Sequence, residues 1–187
     1  PRHHMLPMRE VLEAVAAGEI SVAAAEAELA GYATGDAGRF DAARVSRSGV
    51  PEAILADGKT AAEIAALAET AVETTGRAIA TRLAPDAVPA IREHLATSHP
   101  ETDVEWNERS RWLVATAPDF ERPALAASVG VVTAGTSDAE PAGEAAMVAR
   151  EMGAEVHRTD DVGVASLARM IDRLDELREM AVLIVAA

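Results

Sequence analysis

The chain has no cysteine, a single lysine and few aromatic side chains, and each shortage excludes something. Without a cysteine among its 187 residues, no disulfide framework or thiolate metal site can be built from them. Aromatics make up 3% of the sequence, too few for a series of base-stacking platforms. The 31 acidic against 17 basic residues give a formal charge of −14, which repels a phosphate backbone, so a nucleic-acid partner is not expected. No apolar run approaches the roughly 18 residues of a membrane span, and no signal peptide is read; a cytoplasmic location with no membrane partner is expected. Lys59 is the one lysine, and every other basic residue is arginine. A GC-rich genome alone would trade lysine for arginine without this acidic excess, so the composition suggests a halophilic cytoplasm, where salt screens self-repulsion.

What is present is 49% hydrophobic content, enough for one or two cores. The most informative stretch runs from Val129 to Val156. A short β-branched run (Val129, Val131, Val132) leads through the turn Thr133–Asp138 into a helical pattern. There Ala145, Ala146, Val148, Ala149 and Met152 make an apolar stripe, with Glu144, Arg150 and Glu151 towards water. Gly153 stops the helix, and a second strand follows at Glu155–His157. Strand, loop, helix, strand is a βαβ unit. Its small, hydroxyl-rich loop sits at the carboxyl end of the first strand, where ligands bind in open parallel sheets. The loop is neither GxGxxG nor a Walker P-loop. Val164–Met180 then reads as one helix, with Leu167, Met170, Ile171, Leu174 and Leu177 inward, and Ala181–Ala187 as a third buried strand. Three strands and two helices leave an open edge and an uncovered face, so further chain is expected to belong to this domain.

Upstream, residues 1–7 read as a tag or linker remnant, and Met8–Gly18 and Val22–Tyr32 as a helical hairpin, with Ser21 capping the second helix and Gly31 closing it. Pro51–Ala56 reads as a strand and Asp57-Gly58 as a turn. Thr60 and Glu63 form a capping box for a helix that Gly76 ends. Lys59, just before that helix, is placed to meet an anion, since backbone donors and an ammonium point the same way; this is preferred over mere survival of a bias against lysine, because arginine's planar fork cannot imitate a compact ammonium. Arg44 and Arg47 admit two readings as well, anion contacts or a solvated face. Arg77–Leu83 reads as a strand, Pro85–Ser98 as a helix, and 103–106 and 111–115 as strands. Trp106 and Trp112 are packing residues of those strands, and His94 and His99 are expected to be exposed. The organisation is an N-terminal α+β domain at 8–117, a linker at 118–128 and a doubly wound α/β domain from 129.

Two motifs carry a resemblance. TAGTSDAEPAGEAA from Thr133, with RTDDVGVASL from Arg158, and FDAARVSRSGVPEAILADGKT from Phe40 to Thr60, resemble the LarB family, the pyridinium-3,5-biscarboxylic acid mononucleotide synthases of nickel-pincer cofactor biosynthesis. The catalytic domain of that family is similar to the PurE class of aminoimidazole ribonucleotide carboxylases, which lack the Phe40–Thr60 stretch. The type suggested is halophilic and archaeal, and truncated at its C-terminus. The resemblance implies a flavodoxin-like three-layer second domain, an enzyme, and nicotinic acid adenine dinucleotide with CO2 or bicarbonate as substrates. The pyridinium ring gains a second carboxylate and the phosphoanhydride is hydrolysed, releasing AMP. Covalent addition must first make the ring nucleophilic, and the cleavage needs a neutralised pyrophosphate, hence Mg²⁺.

By the same resemblance, Gly135, Thr136, Ser137, Gly163, Val164, Arg44 and Arg47 bind substrate, and Asp138, Lys59 and Asp161 are catalytic; the metal ligands are open. Ser137 and the loop amides suit phosphate or ribose, and Asp138 suits a hydroxyl, a metal or proton transfer; a ligand-free helix cap is the alternative for both. The family carries a histidine shortly after GVA where this chain reads Ser166-Leu167-Ala168, and His157 does not replace it by spacing. The family's glycine-rich loops and ring-bonding cysteine fall beyond these residues. Two rival readings stand beside this one: a purine-pathway carboxylase or mutase acting on aminoimidazole ribonucleotide, and a nucleotide-binding fragment without turnover. By analogy with fold relatives a homo-oligomer, an octamer, is expected.

Overall fold

A computed structural model describes residues 8–35, 38–164 and 167–187; the tag-like stretch 1–7 and Ser166 lie outside the described residues. The fold is mixed α/β and divides into two units, one running to Trp106 and including Leu113–Phe120, the other made of Asn107–Trp112 and Glu121–Ala187.

The first unit begins with α1 (Met8–Ala16) and α2 (Val22–Ala30). The Ser21 hydroxyl accepts the Ala24 N–H at 3.1 Å, so it does cap α2. That helix runs to Ala30, and Gly31 closes it with a left-handed φ of 76°, as expected. Tyr32 instead opens β1 (Tyr32–Gly35), which pairs antiparallel with β2 (Gly38–Asp41), a hairpin the helical reading overlooked. Glycines at 31, 35 and 38 favour tight reversal over helix continuation. A short α3 (Arg44–Ser48) follows.

Next come β3 (Ile54–Leu55), α4 (Ala61–Thr75), β4 (Arg77–Thr81), α5 (Val88–Ser98), β5 (Asp103–Asn107) and β6 (Trp112–Thr116), forming a four-stranded sheet in the order β3-β4-β6-β5. The strand at β3 is two residues long, not six, and pairs in parallel with β4 only at Ile54 and Leu55. β4 ends at Thr81 because Arg82 takes a left-handed φ of 54°. The capping box at the start of α4 is complete: Thr60 Oγ1 accepts the Glu63 N–H, and the Glu63 carboxylate accepts the Thr60 N–H at 2.7 Å. These bonds, first the backbone one and then the Thr60 hydroxyl, hold the Glu63 carboxyl below the usual range. Ile64, Leu67, Ala68, Ala71 and Val72 recur at helical period and bury one face of α4. They pack with Leu83, Ile91, Leu95 and Leu113 into the core of this unit. β4 is buried along its whole length, and the Arg77 guanidinium lies 4.7 Å from the centroid of the Phe120 ring.

His94 and His99 correct the expectation of exposure. Both are half-buried: His94 Nε2 is 2.7 Å from Glu69 Oε2, and His99 Nε2 is 3.5 Å from Glu73 Oε1. The hydrogen bond from His94 lowers the Glu69 pKa. The spacing argument looked for partners along one helix, whereas both partners lie on α4, packed against α5.

The second unit is a three-stranded parallel sheet, β8-β7-β9, formed by β7 (Ser128–Thr133), β8 (Glu155–Thr159) and β9 (Val182–Ala186). Alternation along the strands divides its side chains between two faces. Val129, Val131, Val156, Ile184 and Ala186 meet α6 (Ala139–Glu151), while Val132, Leu183 and Val185 point the other way, towards α7 (Leu167–Ile171) and α8 (Leu174–Arg178). Gly153 (φ 98°) returns the chain to β8, and a Cβ there would meet the Pro123 carbonyl oxygen at 2.0 Å.

Several expectations are corrected here. Glu151 does not face water: it is fully buried, its carboxylate held by Arg122 Nε at 3.0 Å and Arg150 Nη2 at 3.1 Å, while Arg150 also sits 5.2 Å from the Trp112 ring centroid. Glu144 and Arg150 are half-buried, and Met147, left out of the apolar stripe, is the buried methionine. The single helix at 164–180 is two short helices separated at Asp172–Arg173, with Leu167 and Ile171 exposed; β9 is an edge strand, exposed at Val182, Leu183 and Val185. Among the described residues no helix is long and apolar enough to cross a membrane.

Candidate functional site

The carboxyl ends of β7 and β8 bring two loops together, and the hydroxyl of Thr133 joins them. Thr133, the last residue of β7, is buried. Its Oγ1 accepts the Asp161 N–H at 2.9 Å and donates to Asp160 Oδ1 at 3.3 Å. The backbones continue the seam: Val162 N–H donates to the Thr133 carbonyl at 3.0 Å and Gly163 N–H to the Ala134 carbonyl at 2.9 Å. Gly163 is required by this closeness, since a Cβ would stand 2.5 Å from the Ala134 oxygen.

Beyond the seam, Gly135 leads into a tight turn at Thr136–Asp138 that opens α6. Thr136 and Ser137 are exposed, and Asp138 is half-buried. The Asp138 carboxylate turns back into its own loop, accepting the Gly135 N–H at 2.7 Å and the Ser137 hydroxyl at 3.2 Å. It occupies the cap position of α6 but makes no side-chain cap bond. Arg109 donates to the Thr136 carbonyl at 3.2 Å, and Arg111 lies 3.5 Å from Glu140. On the neighbouring loop Asp161 adopts a left-handed φ of 60° and pairs with Arg169, while Asp160 pairs with Arg158 at 2.8 Å. Aspartate tolerates that conformation better than most residues.

Beside this rim is a cavity of about 480 Å³ on the sheet face opposite α6. Val132, Thr133, Gly163 and Val164 line it on one side and Met170 and Leu174 on another, and Arg178 is the one charged residue of its lining. The residues expected to bind substrate therefore separate: Gly163 and Val164 border the cavity, whereas Gly135 to Asp138 and Asp161 lie on the rim outside its lining.

Lys59, Arg44 and Arg47 belong to the first unit. The Lys59 ammonium is exposed and donates to the Leu55 carbonyl at 2.7 Å; Arg44 pairs with Glu52 at 3.0 Å and Arg47 with Asp41. The reading of single residues missed Thr133, Arg109 and Arg169. Thr133 had a signal, a hydroxyl as the last residue of a buried strand, and DDVG at 160–163 signals a strained turn. Arg109 has none, because its partner is distant in sequence, and Arg169 reaches Asp161 only because α7 turns back onto the loop.

Mg²⁺ finds no ready ligand set on this rim: Asp138 is engaged within its own loop, Asp160 by Thr133 and Arg158, and Asp161 by Arg169, and among the described residues their oxygens do not converge as a group of three. No step is routed through a metal here.

Comparison with known proteins finds a family model over part of the chain. Residues 32–117 match the family model of the LarB/PurE-like N-terminal domain. That part of the chain is therefore similar to the N-terminal domain of LarB/PurE-like proteins. An uncharacterized protein of Methanocaldococcus jannaschii is 30% identical over 142 residues, covering 75% of this chain and 54% of the relative. The chain thus spans about half the length of the curated relative it matches.

Proposed function

We propose that this chain is the nucleotide-binding part of an enzyme that carboxylates the pyridinium ring of nicotinic acid adenine dinucleotide and hydrolyses its phosphoanhydride. The family match over 32–117 supports a carboxylase-related function in general. The observation that carries the reading in the second unit is the seam at Thr133, which holds two polar loops side by side at the carboxyl ends of adjacent parallel strands. Exposed Ser137 and Thr136 would meet phosphate or ribose oxygens. Asp138, released from Gly135 N–H, would take a hydroxyl or a proton, and that released amide becomes a donor for an anion. Asp161 would act from the neighbouring loop, with Gly163 and Val164 bordering the apolar cavity. Lys59, Arg44 and Arg47 are proposed contacts for the anionic substrates, and each must exchange a bond it now makes within the chain. Mg²⁺ would arrive with the substrate's phosphates, and the working form would be a homo-oligomer.

The test is isotope incorporation. The whole protein is incubated with labelled bicarbonate and either nicotinic acid adenine dinucleotide or aminoimidazole ribonucleotide. Label in a pyridine mononucleotide together with AMP release supports the reading. Label in the ribonucleotide alone would overturn it in favour of a PurE-type reaction.

A further inference from the structure

A second constellation lies in the first unit, on the facing sides of α4 and α5, and plays no part in the proposed carboxylation. Glu69 and Glu73 are four residues apart and so share one face of α4. His94 projects from α5 and His99 ends it, and the ligand atoms of Glu69, Glu73 and His99 all lie within 4.8 Å of one another. Two carboxylates spaced in this way repel, and each faces one histidine: Glu69 has His94 at 2.7 Å. On the other side, His99 Nε2 is enclosed without a hydrogen-bond partner, 3.5 Å from Glu73 Oε1. An enclosed ring nitrogen facing a carboxylate at that distance has the geometry of two ligands of one metal. Tetrahedral ligands at bond lengths of ~2.1 Å stand ~3.4 Å apart.

We propose that Glu69, Glu73 and His99 bind a divalent transition-metal ion of the zinc type. Imidazole nitrogen argues against magnesium or calcium, which take oxygen ligands, and the mixed nitrogen and carboxylate set suits zinc or cobalt. Binding gives His99 Nε2 a partner and sets both carboxylates against one cation. Clamping α4 to the end of α5 stabilises this unit.

The experiment is a calorimetric titration of chelator-treated protein with Zn²⁺, repeated with Co²⁺ to read its visible absorption. Wild-type protein is expected to bind one equivalent with a raised Tm. His99→Ala and Glu73→Gln are each expected to weaken binding at least ~10-fold and abolish the Tm increase. A variant with His3→Ala and His4→Ala is expected to bind as wild type does. Circular dichroism checks that each variant folds, and Glu73→Gln, exposed and nearly isosteric, keeps the test open should His99→Ala unfold. Absence of saturable binding, binding unchanged in Glu73→Gln, or loss of binding in the His3, His4 variant would each overturn the proposal. None of these outcomes bears on carboxylation, which is read separately by isotope incorporation.

Discussion

The two faces of the β8-β7-β9 sheet are made from the same strands and behave differently. On one, Val131 and Val129 are closed off beneath α6, at 0% and 9% exposure. On the other, Val185 and Leu183 remain 65% and 47% exposed beside a cavity, because α7 and α8 have five residues each and cover little of it. Strand alternation deals side chains equally to both faces, so the difference comes from the helices. The closed face supplies stability. The rim between the faces, where Thr133 joins two loops, has polar groups that can change partner.

The sharpest way to break this comparison is a pair of truncations. Val131→Ala on the closed face is expected to cost about 1–3 kcal/mol, and Val185→Ala on the open face under about 0.5 kcal/mol, in chemical denaturation. Equal losses would remove the distinction. Next in size, Gly163→Ala forces a Cβ against the Ala134 carbonyl and is expected to cost about 1–3 kcal/mol while weakening nucleotide binding. Thr133→Val keeps the shape and deletes the oxygen that accepts the Asp161 N–H; about 1–2 kcal/mol is expected, from an orphaned donor. If this variant matches wild type in both stability and binding, the seam has no role.

The smallest effect sharpens the contrast from the first unit. Thr60→Ala should cost about 1 kcal/mol through the lost cap. Because the folded Glu63 carboxyl is held below its ordinary range, its contribution is present above that range and lost as pH falls through the lowered value. Glu63→Gln should therefore flatten the acid limb of stability between pH about 5 and the acid unfolding region. An unchanged acid limb would show that the capping bond is not maintained in solution.

Local signals explain what could be read from the chain. T-x-x-E at Thr60–Glu63 announced the cap of α4, and the β-branched run with its hydroxyl turn announced β7 and the rim, because each is written within a few residues. Features that depend on distant partners were hidden. Glu151 looked solvated until Arg122 was brought beside it, and His94 looked free until α5 packed on α4. The apolar period of 164–180 suggested one helix, but Asp172–Arg173 interrupts it, and nothing local states which of its leucines finds a surface. The rim residues were legible individually; their joining through Thr133 depends on the β7–β8 register.

The central claim is that the Gly135–Asp138 rim binds the phosphate or ribose of a dinucleotide. The direct measurement is a calorimetric titration of nicotinic acid adenine dinucleotide into this chain and its Ser137→Ala variant. Ser137 is exposed, so the variant should fold as wild type does. Saturable binding that weakens by roughly fivefold, the value of one hydrogen bond, is the predicted result. No binding, or equal affinity in the two proteins, would contradict it.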